Sequence, residues 1–113
     1  MLIRLCYLNV LYIFKVKSAT MKATIVQSGI KWEDRNANIA HISSLLDAES
    51  PRGGLVVLPE MFTTGFTMNP APVAEGMDGP TVRWMMERSA TGGYALCGSV
   101  IIGENDRFFN RLI

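Results

Sequence analysis

Glu60 is the side chain best placed for chemistry in this 113-residue chain. It follows a short apolar run, Leu55-Val56-Val57-Leu58, with Pro59 between the two. A run with no polar member suits a central strand covered on both faces. Proline removes a ladder donor and fixes the backbone, so the strand ends at a defined point. The carboxylate then falls at the carboxyl end of a sheet, where α/β folds place ligands. Met61, Phe62 and Phe66 flank Glu60, an apolar setting that can desolvate a carboxyl and suit it to acid–base work near neutrality. The plainer reading of the same residues is an exposed loop carboxylate beside a hydrophobic corner.

Other candidates are few. The cysteines are Cys6 and Cys97, neither in a CxxC or His-rich setting, which argues against a disulfide scaffold or a structural zinc site. Cys97 lies among Ala95, Leu96, Gly98 and Ser99, with no base or helix N-terminus of the kind that activates a thiol, and reads as a small buried hydrophobe. With His41 as the one histidine, a metal centre or a Ser/His/Asp triad is hard to assemble here. His41 falls beside the apolar stripe of a helix and reads as an ordinary helix-surface residue. Catalysis by this chain must therefore draw on carboxylates, amines or a thiol.

The elements that position Glu60 follow from pattern. Met21 to Ser28 alternates as a strand and ends at Gly29. Asp34 is suited to cap a helix near 35–48, on which Ile39, Ile42, Leu45 and Leu46 form one apolar stripe. Pro51-Arg52-Gly53-Gly54 breaks that helix ahead of the Leu55 run. Pro59 to Gly79 is loop-like, and Pro80 opens a second helix, about 80–91, with Val82, Met85, Met86 and Ser89 on its inner face and Gly92-Gly93 closing it. Tyr94 to Ile102 is strand-like, and Gly103-Glu104-Asn105-Asp106 reads as a hairpin loop into a last strand, Arg107 to Ile113. The order strand, helix, strand, helix, strand, strand predicts an α/β fold with helices on one face of a mixed sheet.

The first twenty residues differ from the rest. Their apolar run, Leu5 to Phe14, is interrupted by Asn9 and is shorter than the roughly 20 residues a membrane-spanning helix needs. Arg4 before it and Ser18-Ala19-Thr20 after it match a secretory leader only weakly. Because the domain pattern begins at Met21, residues 1–20 read as an upstream extension, with a membrane-associated or exported form as the alternative. At the other end an apolar strand closes the chain with an edge and a face uncovered. Residues 21–113 thus read as the N-terminal part of a larger domain.

Composition is that of a globular protein, 49% apolar and 19% charged. Net charge is +1, from eleven Lys and Arg against ten Asp and Glu. No basic stripe argues for nucleic acid or an anionic membrane as partner. The expected setting is cytoplasmic.

Leu58-Pro59-Glu60-Met61-Phe62-Thr63-Thr64-Gly65-Phe66 resembles the glutamate motif of the nitrilase superfamily of carbon–nitrogen hydrolases, in its omega-amidase-like subgroup. Met21-Lys22 through Gln27 resembles the family's first strand, and Asn38 with Ile39 its first helix. Gly79-Pro80-Thr81 with Trp84-Met85 resembles the second helix, and Cys97-Gly98-Ser99-Val100 and Phe109-Asn110-Arg111-Leu112 the two strands after it. The resemblance covers residues 21–113 and implies the N-terminal part of a four-layer α-β-β-α sandwich, commonly homo-oligomeric, with no cofactor and no metal.

It also implies a mechanism by glutamate, lysine and cysteine. A thiolate attacks an amide carbonyl, ammonia leaves, and water hydrolyses the thioester. The glutamate maps onto Glu60, as general base; the lysine stabilises the carbonyl oxygen. Lysine and cysteine lie further along in the family than the strand pair that ends this chain. Lys22, Lys31, Arg83, Arg88, Arg107 and Arg111 do not match the lysine motif, and Cys97 occupies a position the family fills with core residues. The implied substrate is a small-molecule amide, the omega-amide of a 2-oxo acid, with this chain alone inactive. Nitriles and N-carbamoyl compounds are the alternatives on the same fold, and a non-catalytic truncated product or interaction module is the alternative of another class.

Overall fold

The computed structural model describes residues 10–15, as backbone, and 21–113. Six strands and two helices run in the order β1 (Val10–Lys15), β2 (Lys22–Gln27), α1 (Arg35–Glu49), β3 (Leu55–Val57), α2 (Pro80–Gly92), β4 (Ala95–Cys97), β5 (Ser99–Glu104) and β6 (Arg107–Leu112). The rest of the upstream segment, residues 1–9 and 16–20, lies outside the described residues. Val10–Lys15 had no element assigned from sequence. Here it pairs antiparallel with β2, Val10 opposite Gln27 and Lys15 opposite Lys22.

The first four strands make one mixed sheet in the order β1-β2-β3-β4, with β2, β3 and β4 parallel. In that register Thr24, Val56 and Leu96 stand in a row, and Ile25, Val57 and Cys97 in the next. Successive side chains of a strand point to opposite faces, so the two rows belong to opposite sides of the sheet. The first row meets the helices. Val56 packs in one cluster with Ile42 and Leu46 of α1 and Val82 and Met85 of α2, and Leu96 lies against it. Each such buried side chain contributes about 1.5–3 kcal/mol. The helices are tied to each other where Trp84 Nε1 donates to Ser43 Oγ at 3.0 Å and Arg88 pairs with Asp47 at 2.7 Å. The second row is only half-buried. The Leu55 run is therefore central in the sheet, as expected, and among the described residues it is covered on one face and half-covered on the other.

Local signals account for the helices. Asp34 caps α1, its Oδ1 accepting from Ala37 N at 3.0 Å. Ile42 and Leu46 are fully buried and Ile39 and Leu45 half-buried, while Asn38 shares the innermost line. Pro80 starts α2 and Gly93, left-handed at φ 65°, ends it. Its inner face differs from expectation at one place. Met86 is 66% exposed and Thr81 is buried instead, because the buried arc runs from Thr81 through Met85 to Val82 and Met86 falls about 40° beyond its Val82 edge.

The segment Tyr94–Ile102 is not one strand. It breaks at Gly98 into β4, in the first sheet, and β5, which pairs with β6 in a separate antiparallel ladder and bridges Glu75 through Ile101 O and Gly103 N on its other edge. A side chain at Gly98 would sit 2.9 Å from Leu58 Cβ and 3.0 Å from the Phe62 ring, so the chain crosses between sheets where only glycine fits. Asn105 and Asp106, at φ 50° and 59°, turn the hairpin tightly with both central residues left-handed. Ser99 to Ile102 are buried, whereas β6 is largely exposed.

Candidate active site

After β3 the chain enters a run of turn residues, 60–64, and Glu60 stands at its start. Leu58 N still donates to Cys97 O at 2.7 Å, extending the β3–β4 alignment by one bond. Pro59 ends the ladder. Met61 then takes φ 47°, a left-handed conformation that costs a non-glycine residue about 1–3 kcal/mol. What holds it is visible on three sides. Ser99 Oγ accepts from Met61 N at 2.9 Å. Met61 O accepts from Thr64 N at 3.1 Å and Gly65 N at 2.8 Å. Phe62, the next residue, is fully buried in the core, with its ring 5.9 Å from that of Trp84.

The loop Ile30–Asp34 braces the same corner. Asn38, buried on α1, donates from Nδ2 to Thr63 O and Lys31 O, both at 2.8 Å, and accepts from Lys31 N at 2.7 Å. Glu33 N donates to Thr64 O at 2.9 Å, and Thr67 Oγ1 donates to the Glu33 carboxylate. Backbone on both sides of the turn is thus fixed by side chains from elsewhere.

Glu60 itself is exposed. The expected apolar cover does not form. Phe62 turns inward to the core and Phe66 is 63% exposed, since the left-handed step at Met61 swings the following residues away from the carboxylate. The one partner of the carboxylate among the described residues is Asn110 on β6, whose Nδ2 donates to Glu60 Oε1 at 2.7 Å. Both lie in an open depression of about 330 Å³, walled by Val57 and Leu58 on one side and by Gly98, Ser99 and Leu112 on the other. A carboxylate so placed can accept a proton from, or hand one to, a group entering the depression. Neither a lysine nor a cysteine lines it, and the described residues hold no cluster of three or more His, Cys, Asp or Glu fit to bind a metal.

Cys97 is half-buried in the row with Ile25 and Val57. Burial pushes its thiol up from the ordinary value, a shift against thiolate formation. His41 is half-exposed on α1. A second hollow, about 210 Å³, lies where α1 and α2 end, beside Arg52 and Tyr94, with its Arg88 engaged by Asp47.

Sequence reasoning missed a second carboxylate. Glu75 is 8% exposed; its Oε1 accepts from Thr81 N at 2.9 Å and its Oε2 from Thr81 Oγ1 at 2.9 Å, with Val82 N at 3.4 Å. Arg35 Nε stands 3.0 Å from Oε2. The signal was Gly79, which offers no side chain to the free N–H groups at the start of α2, so an acceptor had to come from further back. Asn110 and Ser99 enter the sequence pattern only as parts of strands. Their partners are 50 and 38 residues away, beyond the reach of local pattern.

Comparison with known proteins agrees with this architecture. Residues 22–113 match the family model described as carbon-nitrogen hydrolase. Omega-amidase YafV of Yersinia enterocolitica is 36% identical over 99 residues, 84% of this chain and 36% of that protein. Omega-amidase YafV of Escherichia coli (strain K12) is 32% identical over 93 residues, 82% of this chain and 36% of that protein. The crystal structure of XC1258 from Xanthomonas campestris, a CN-hydrolase superfamily protein with an arsenic adduct in its active site, superposes with a TM-score of 0.74 at 39% identity, over 80% of this chain and 34% of that one. The chain thus spans little more than a third of the relatives it matches, and along that span it belongs to the carbon–nitrogen hydrolase family.

Proposed function

We propose that this chain contributes the glutamate-bearing part of an amidase that hydrolyses the terminal amide of a small 2-oxo acid to carboxylate and ammonia. The observation that carries the reading is Glu60 itself. It is presented to an open depression at the end of a central strand, on a turn fixed by Ser99, Asn38 and the buried Phe62. In this reading Glu60 is the general base: it takes the proton of a cysteine thiol, and after ammonia has left it activates the water that opens the thioester. A lysine supplies charge to the carbonyl oxygen. Cys97 is not read as that thiol: it is half-buried on β4 and does not line the depression that holds Glu60. The omega-amidase relatives support the substrate class over nitriles and N-carbamoyl compounds. The setting we assign is cytoplasmic and the assembled enzyme a homo-oligomer; among the described residues no helix is long and apolar enough to cross a membrane.

The test is ammonia release from a panel of omega-amides of 2-oxo acids, nitriles and N-carbamoyl compounds. Residues 1–113 alone should release none. Joined to the segments that carry the family's lysine and cysteine, they should act on the omega-amides and lose that activity on Glu60→Gln. Turnover indifferent to Glu60→Gln would sink the reading. A non-catalytic interaction module is the second reading, favoured by the exposed Phe108, Phe109 and Leu112 on β6; a monodisperse monomer of residues 1–113 in solution, with no turnover in any setting, would support it.

A further inference from the structure

The hairpin β5–β6 touches the Glu60 turn at two points, and the two contacts act on different parts of it. In the ladder register Ser99 is opposite Leu112 and Ile101 opposite Asn110. Ser99, Ile101, Asn110 and Leu112 therefore share one face of the hairpin. From that face Ser99 Oγ accepts from Met61 N at 2.9 Å, and Asn110 Nδ2 donates to Glu60 Oε1 at 2.7 Å. An ionised carboxylate only accepts, so the amide nitrogen of Asn110 must be the atom facing it. The first contact holds backbone in a left-handed step; the second holds a side chain that is otherwise exposed.

We propose that this hairpin face is a two-point clamp that positions Glu60, Ser99 by the backbone and Asn110 by Oε1, so that Oε2 is the oxygen which takes up the proton. The proposal rests on reading Glu60 as the base. Oε2 carries no hydrogen bond among the described residues, and it is the free acceptor in the depression. When a nucleophile's S–H bond breaks, the O–H bond forms at Oε2 and the negative charge passes to sulfur. Asn110 keeps its bond to Oε1 throughout, so the carboxyl does not turn away once it is neutral. Asparagine suits the task because it has a short side chain on a strand whose backbone is fixed by pairing with Ile101. Ser99 and Asn110 are positioning residues here, acting through Glu60.

The experiment is solution NMR of the isotope-labelled 113-residue chain. The clamp requires a single Glu60 side-chain rotamer, from three-bond couplings, and cross-relaxation between the Asn110 amide protons and the Glu60 γ protons. Asn110→Leu should average the Glu60 couplings while leaving Met61 amide protection intact. Ser99→Ala should speed Met61 amide exchange about tenfold, with the amides of Val56 and Ile102 unchanged. Averaged Glu60 couplings in the unaltered chain overturn the proposal without any variant, and so does a single rotamer that survives Asn110→Leu. These readings do not depend on turnover. A clamped Glu60 with activity indifferent to Glu60→Gln refutes the base and leaves the geometry, whereas a mobile Glu60 in an enzyme that needs it refutes the clamp alone.

Discussion

Glu60 and Glu75 lie on the same long connection between β3 and α2, yet the fold treats them in opposite ways. Glu75 is buried, and both of its oxygens are engaged by the start of α2 and by Arg35. Glu60 is exposed, with one oxygen engaged by Asn110 and the other open to a depression. A buried charge is tolerated only when paired and hydrogen-bonded, so the Glu75 carboxylate has no capacity left for anything but holding elements together. Glu60 keeps capacity, and the elements around it are arranged to hold its backbone instead. The difference separates a carboxylate that builds the fold from one available for chemistry.

That contrast can be broken by measurement. Glu75→Ala removes the acceptor for Thr81 and Val82 and strands Arg35; it should cost about 3–5 kcal/mol in denaturant unfolding, the range for losing one partner of a buried pair. Asn38→Leu leaves Lys31 and Thr63 backbone groups unpaired and should cost about 1–3 kcal/mol by the same measurement. Asp34→Ala, losing the α1 cap, should cost about 1 kcal/mol. Glu60→Ala should shift stability by no more than about 0.5 kcal/mol. If Glu60→Ala destabilises as much as Glu75→Ala, the two carboxylates are not different in kind and the case for Glu60 as a chemical group weakens. The smallest effect concerns Cys97. Its raised pKa means that alkylation near neutrality should be slower than for a free small thiol and should still climb with pH above about 8.5. The matching stability contribution is present below the unfolded thiol's pKa and lost as pH rises through the folded one.

Much of the framework was legible because its signals are local. Asp34 three residues before the N–H it caps, Pro80 at a helix start, Gly93 at a helix end and the Asn105-Asp106 turn each declare themselves within a few residues. The motif around Glu60 was legible too, and so was the end of its strand at Pro59. What escaped depends on contacts across the fold. The break at Gly98 is invisible in a run that is apolar on both sides of it, and becomes necessary only when Leu58 and Phe62 are in place beneath it. Phe66 looks like cover for Glu60 until the backbone turns left-handed at Met61. Met86 has the right spacing for a buried face but lies outside the arc that the sheet occupies. Val10–Lys15 becomes a strand by pairing with β2, a partner that its own residues do not name.

The two hydrogen bonds from β5 and β6 to the Glu60 turn span 38 and 50 residues of chain, whereas those from Glu75 to α2 span 6 and 7. Closing a longer loop loses more chain entropy before any contact is made, and distant pairings form later than near ones as a rule of folding kinetics. The carboxylate bonds from Glu75 to the start of α2 can therefore form early, while its backbone bridge to Ile101 and Gly103 follows with β5. The Glu60 turn gains its bonds to Ser99 and Asn110 after those residues, 38 and 50 positions downstream, have been synthesised and docked, so competence at that corner trails the synthesis of the motif itself.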